Sequence, residues 1–209
     1  MASVDEAARA VAAGADAVGL VGGMPSGPGP IDDALIAEIA RTVPPPVASV
    51  LLTSEHEADA IADHVRRTRP AAVQVVRHIA PAEAAALARL LPLTRRIQVI
   101  HVEDAAVIDL IDAYAPHVDA FLLDSGRPGA ATPTFGGTGD VHDWAVSAAF
   151  VAASPRPVFL AGGLNAANVG AAIAQVRPFG VDVCSGVRTD GALDPAKLAA
   201  FVAAVAAAD

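Results

Sequence analysis

Cysteine occurs once in the 209 residues, at Cys184, which excludes an internal disulfide and any cysteine-rich metal site. Aromatic residues are also scarce, at 4% of the chain. Alanine supplies much of the 54% hydrophobic fraction and favours helices, so the positive mean hydropathy does not require a membrane protein. No apolar run reaches the length needed to span a bilayer. Asp5 and Glu6 precede any long apolar stretch, so the N-terminus does not read as a secretory signal, and a cytoplasmic enzyme is the expectation. Positive charge is short as well: 14 Lys and Arg against 23 Asp and Glu leave a net charge of −9, which argues against general nucleic-acid binding. Arginines do gather at Arg66, Arg67 and Arg69 and at Arg95 and Arg96, near predicted helix C-termini, where cations suit the dipole and read as solvated structural groups. No linker or low-complexity segment divides the chain, whose length fits one domain over residues 1–209 with a large core.

What is present is a repeating alternation of helices and short apolar strands. Ser3 caps a predicted helix through Ala13 that Gly14 ends, and Asp16 to Gly22 reads as the first strand. Gly23 to Pro30 is a rigid loop without side-chain charge, followed by a helix from Ile31 to Thr42 and a strand from Val47 to Leu52. Helices at Glu55 to Thr68, Pro81 to Leu91 and Asp104 to Tyr114 alternate with strands at Ala72 to Val76, Ile97 to Val102 and Ala120 to Asp124. A long loop, Ser125 to Asp140, then leads to the Trp144 helix; loops of this length inside compact domains are uncommon and often functional.

The segment Pro157 to Val187 is a complete βαβ unit. Val158 to Ala161 is a buried strand ended by Gly162 and Gly163, and Asn165 is placed to cap the helix carrying Val169, Ala172, Ile173 and Val176. Val181 to Val183 forms the next strand, ended by Ser185 and Gly186, and Pro195 starts a closing helix through Val205. Glycines after two successive strands let backbone N–H groups approach a ligand closely, and helix N-termini beyond them favour an anion. Paired turns at this place are where a (βα)8 barrel holds a substrate phosphate; either alone could merely turn the chain. Eight helices and seven strands in strict alternation specify a parallel sheet of the TIM (β/α)8 type with one strand too few, and an open doubly wound sheet is the alternative. Against that alternative stands the absence of a GxGxxG turn after the first strand.

Five segments then carry a resemblance: AGADAVGLV (Ala13 to Val21), LLDS (Leu122 to Ser125), FGGTGDVHDW (Phe135 to Trp144), LAGGLNAANV (Leu160 to Val169) and VDVCSGV (Val181 to Val187). In order and spacing the chain resembles phosphoribosylanthranilate isomerase, the barrel enzyme of tryptophan biosynthesis. The resemblance implies an aldose-to-ketose rearrangement of an aminoribose phosphate, in which an acid protonates the ring oxygen, the ring opens to an iminium, and a base removes the proton from sugar carbon two. Asp124 matches the general acid, Asp182 matches the family's carboxylate on the last strand, and Gly136, Gly137, Gly139, Gly162, Gly163, Ser185 and Gly186 match the phosphate cradle. A carboxyl at the end of an apolar strand also suits an acid with a raised pKa, although an Asp there could instead cap the next turn.

Three places depart from the family pattern. The family's first strand ends in Lys-x-Cys-Gly, whose cysteine is the base, and Met1 aligns just after it; a start lying upstream is one expectation. Gly27 falls where an arginine would clamp the anthranilate carboxylate, and Val76 and Arg77 fall where the family reads Gln-Leu-His-Gly. His101, near the end of the fourth strand, and His78, just past the third, are candidate bases with a suitable ordinary pKa, or else satisfied structural histidines. Cys184 reads most simply as a small buried residue. Three functions stay open: the family isomerase, an isomerase of another phosphorylated sugar, and a non-catalytic phosphosugar binder. No metal or organic cofactor is implied, the expected ligand is a small phosphorylated sugar, and unpaired sheet edges make self-association plausible.

Overall fold

The computed structural model describes residues 1–24, 29–125 and 143–208. It opens on helix α1 (Val4–Ala12), where the Ser3 hydroxyl accepts the Glu6 N–H as an N-cap. Strand β1 (Ala17–Val21), helix α2 (Asp33–Thr42), strand β2 (Ala48–Thr53), helix α3 (Ala58–Thr68), strand β3 (Ala72–Val75), helix α4 (Pro81–Leu90) and strand β4 (Arg95–His101) follow in alternation. Asp32 caps α2 by accepting the Leu35 N–H, and Pro81 opens α4 at a position where no donor is needed.

The expected helix at Asp104 to Tyr114 is instead a 3-10 segment (Ala105–Asp109) running into a short helix α5 (Leu110–Tyr114). Asp104 accepts the Ala106 N–H, so the tight first turn starts at that side chain. Strand β5 (Ala120–Asp124), helix α6 (Trp144–Ala153), strand β6 (Val158–Leu160), helix α7 (Val169–Val176) and strand β7 (Gly180–Val181) complete the sheet. Asn165 does not cap α7 directly: it accepts the Ala167 N–H and shapes a separate turn, and α7 begins four residues later. After β7 comes a hairpin the sequence reading did not contain, β8 (Arg188–Thr189) and β9 (Ala192–Leu193), before helix α8 (Pro195–Ala206). Its turn is Asp190-Gly191, both at positive φ, a pairing that favours a two-residue hairpin.

The seven strands β1 to β7 form one parallel sheet in chain order. The expected TIM (β/α)8-type architecture is therefore present with seven strands, β1 and β7 being the sheet's edges. Side chains alternate between two faces. On the outer face Val18, Leu20, Leu51, Val73, Ile100, Phe121, Leu123 and Leu160 pack against Ile36, Ile39, Ile61, Leu87, Phe150 and Val169 of the helices. On the inner face Val76, Val99, Leu122 and Ala161 form a smaller cluster with Leu52, Ile97, Phe159 and Met24. Burial of the outer set dominates stability, because each such side chain removed from water contributes roughly 1.5–3 kcal/mol.

The arginine pairs differ from expectation at one point. Arg66 and Arg67 lie in the last turn of α3, as anticipated, but Arg95 and Arg96 start β4 and share Asp119. Arg96 is largely buried and donates to the carbonyls of Leu91, Thr94 and His117, so it ties the α4–β4 turn to the segment before β5. No helix among the described residues is long and apolar enough to cross a membrane.

Candidate functional site

Parallel register places several of the singled-out residues in one row. His101 ends β4 directly opposite Asp124, the last residue of β5. One step past the Leu123–Leu160 and Leu160–Val181 pairs, Ala161 and Asp182 continue the same row, with Ala161 N–H donating to Leu123 O and Asp182 N–H to Leu160 O. Leu122 and Val99 point inward, so residues two further along point inward as well. His101, Asp124 and Asp182 thus share the inner face at the C-terminal end of the sheet, the end that carries chemistry in barrels of this type.

Asp124 accepts the Ser125 N–H at 2.8 Å, which fixes its carboxyl against the end of its own strand. Burial raises its pKa; the Ser125 N–H and the nearby His101 pull the other way without cancelling that effect. Asp182 is pushed up to about 6, first by loss of surrounding water and then by the charge of Asp124, against the Val183 N–H and the chain's amino group. Solvent at the mouth of the site still reaches Asp182, which moderates this shift without reversing it. Surroundings that oppose ionisation of both carboxyl groups favour the protonated form that general acid chemistry needs.

His101 is buried and its Nε2–H donates to the Val76 carbonyl at 2.9 Å, so in the neutral ring Nδ1 carries the lone pair. The His78 ring lies 5.7 Å from the His101 ring, centre to centre, and is exposed at the mouth. Burial and the neighbouring His101 lower the His78 pKa, with Glu103 opposing. Cys184 is exposed, which corrects the expectation of a buried residue: β7 ends at Val181, and the chain has already left the sheet at Cys184.

The glycine turns after β6 and β7 lie against one another. A Cβ on Gly186 would come within 2.0 Å of the Leu164 carbonyl oxygen, so the β7 turn is seated on the β6 turn. Gly162 and Gly163 take φ of +84° and +65°, and a Cβ on Gly162 would stand 2.8 Å from Ser125 Oγ, so the same turn also presses on the end of β5. Among the described residues the N–H groups of Gly162, Gly163, Ser185 and Gly186 donate to no backbone carbonyl. Asn165 and Asn168 hold the Gly163 carbonyl with their side-chain amides. Gly27, Gly136, Gly137 and Gly139 lie outside the described residues.

Sequence reasoning missed Ser125 as the surface on which Gly162 rests. It also missed a relay at the top of β2 that runs from the interior to the surface, in which buried His64 bridges Thr53 Oγ1 (3.1 Å) and Asp33 Oδ1 (3.0 Å) while exposed Arg67 donates to Asp33 Oδ2. A histidine in the middle of an amphipathic helix gave no sign of this, because its partners come from two other elements.

Residues 3–204 match the sequence profile of the family described as N-(5'phosphoribosyl)anthranilate (PRA) isomerase. The chain belongs to the phosphoribosylanthranilate isomerase family. N-(5'-phosphoribosyl)anthranilate isomerase 2 of Methanosarcina mazei is 37% identical over 201 residues, covering 95% of this chain and 88% of that protein. Among solved structures, the phosphoribosyl anthranilate isomerase of Thermus thermophilus superposes with a TM-score of 0.84 at 27% identity, covering 100% of this chain and 96% of the other. A phosphoribosyl anthranilate isomerase in complex with reduced 1-(o-carboxyphenylamino)-1-deoxyribulose 5-phosphate superposes with a TM-score of 0.79 at 27% identity, over 99% of this chain and 95% of that one. The family named from the Asp124, Gly162/Gly163 and Ser185/Gly186 segments is thus the family to which the chain belongs.

Proposed function

We propose that this chain is the isomerase that converts N-(5'-phosphoribosyl)anthranilate to its 1-deoxyribulose isomer in tryptophan biosynthesis, and that residues 1–209 act as one barrel domain. The observation that carries the reading is the inner-face row of His101, Asp124 and Asp182 beside two glycine turns whose N–H groups make no backbone bond among the described residues. The turns at Gly162/Gly163 and Ser185/Gly186 hold the substrate phosphate, completed by Gly136, Gly137 and Gly139. Backbone N–H groups suit this task because they bind an anion without bringing a titratable charge.

Asp124, whose burial favours the protonated carboxyl, gives its proton to the ring oxygen of the aminoribose. The C1–O bond breaks, the amine lone pair forms the iminium, and the His78 imidazole at the mouth, its pKa lowered by burial, takes the proton from carbon two to give the enamine that tautomerises to the ketose. Asp182 lies close enough in the row to share charge with Asp124 and to bond a sugar hydroxyl. His101, oriented by its bond to the Val76 carbonyl, stands opposite Asp124 on the neighbouring strand and opposes the rise of its pKa. The protein acts in the cytoplasm on a small phosphorylated sugar, without nucleic acid and with self-association along its sheet edges.

The test is turnover of N-(5'-phosphoribosyl)anthranilate by the purified protein, followed by the fluorescence of the anthranilate group, together with rescue of a tryptophan-requiring strain. Consumption of substrate that depends on Asp124 supports the reading. Neither turnover nor rescue, from a folded protein that binds inorganic phosphate, would leave a phosphosugar binder or an isomerase of another sugar.

A further inference from the structure

The β7 turn is held on one side by the β6 turn, through the close seat of Gly186 on Leu164. Its other side is held from the opposite end of the chain. Arg188, the second residue after Gly186, forms an ion pair with Glu6 of α1, 182 positions away. The pair is shielded: the side chains of Arg188 and Glu6 are 16% and 11% exposed. Arg188 also donates to the Gly191 carbonyl within its own hairpin, and its carbonyl accepts the Lys197 ammonium of α8. Asp194 N–H donates to Val187 O, so the turn, the hairpin and the start of α8 form one hydrogen-bonded body. Among the described residues no other ion pair joins α1 to that body.

Among the described residues β1 and β7 are not paired with one another, and the Glu6–Arg188 ion pair ties the β7 turn to the first helix. A shielded, charge-assisted bond is suited to fix the turn against α1. We infer that Glu6 and Arg188 are positioning residues for phosphate binding, fixing the Ser185–Val187 turn against α1 so that its N–H groups converge with those of Gly162 and Gly163. This rests on the reading of that turn as the phosphate seat. Neither side chain touches the substrate, and both act through Val187 and Gly186.

The experiment titrates inorganic phosphate into the full chain and into E6Q, following the amide resonances of Gly163, Ser185 and Gly186, alongside KM and kcat for the aminoribose phosphate. Glu6→Gln keeps the shape and removes the charge. The expected result is about a tenfold weaker phosphate affinity and a similar rise in KM with kcat largely kept, since small misplacements of binding groups have effects of this order or more. A double variant, E6R with R188E, restores the pair with reversed sign and should recover most of the affinity. If E6Q fails to fold, Glu6→Asp carries the test, because it keeps the charge and withdraws it by one methylene; an intermediate loss is expected. A folded E6Q or E6D that binds phosphate as tightly as the parent overturns the inference. If the parent itself shows no phosphate response at Gly163, Ser185 and Gly186, the phosphate reading fails first, and the pair's role falls with it.

Discussion

Gly186→Ala is a sharp perturbation because the geometry states what the added methyl must meet. The new carbon would stand 2.0 Å from the Leu164 carbonyl oxygen and 3.1 Å from the Asn165 Cα. Carbon and oxygen do not approach much below about 3.3 Å, so the two turns must part by more than ~1 Å. Both walls of the clash are backbone, so no side-chain rotation relieves it. The stability loss expected from such overpacking is about 1–3 kcal/mol. The functional loss should be larger in proportion. A donor moved by ~1 Å goes from a bond near 2.9 Å to one too long to count, and a charged hydrogen bond is worth about 1.5–3 kcal/mol. Loss of one such bond weakens phosphate binding roughly tenfold to a hundredfold. Calorimetric titration with inorganic phosphate reads the affinity, and thermal unfolding reads the stability. Gly14→Ala is the control: it forces a side chain into φ +100° with only Val202 nearby, at 3.8 Å, so it should lower Tm and leave phosphate affinity unchanged. Equal phosphate affinity in a folded Gly186→Ala protein would refute the convergence of the two turns on an anion.

Asp124→Asn should lower kcat by about a hundredfold to ten-thousandfold with little change in phosphate affinity, since it removes the acid and keeps the shape; steady-state kinetics on the purified variant checks this. Asp182 has a folded pKa raised above its unfolded value, so its contribution to stability is full below the unfolded pKa and is lost as pH rises through about 6. Asp182→Asn should therefore raise Tm relative to the parent at about pH 8, with the difference closing toward about pH 4 as the parent carboxyl becomes protonated; an Asn variant less stable than the parent at the higher pH would contradict the sign. Phe150, fully buried on α6 and edge-on to Phe121 at 5.3 Å, should cost about 3–5 kcal/mol on truncation to Ala, read by urea unfolding.

Strands and helices were legible because their signals are local. A buried run such as Ala120–Asp124 and a cap such as Ser3 act through residues a few positions apart. The boundaries moved where side chains compete with the backbone: Asp104 tightened its turn into a 3-10 segment, and Asn165 spent its carbonyl on a turn of its own. Asp190-Gly191 is a hairpin signal that was present and went unread, because the strands beside it are only two residues long. At the site, Asp124 and the two glycine turns could be found from their positions after strands. Their juxtaposition could not, since the contact of Gly162 with Ser125 and of Gly186 with Leu164 depends on how neighbouring strands end. The relay through His64 and the pair of Glu6 with Arg188 join residues 11 to 182 positions apart, and nothing in the spacing of charged residues announces them.

The strand order has a consequence for how the molecule is made. Every strand of the sheet pairs with the strand next to it in the chain, so each βα unit finds its neighbour soon after it leaves the ribosome. Pairing only between chain neighbours keeps the entropy of closure lower than pairing of distant strands would, and it favours growth of the sheet from one end to the other. The bond between Glu6 and Arg188 is different, because its second partner is synthesised 182 residues after the first. Glu6 therefore waits for its partner through most of synthesis, and the turn that the pair fixes is among the last parts of the protein to come into place.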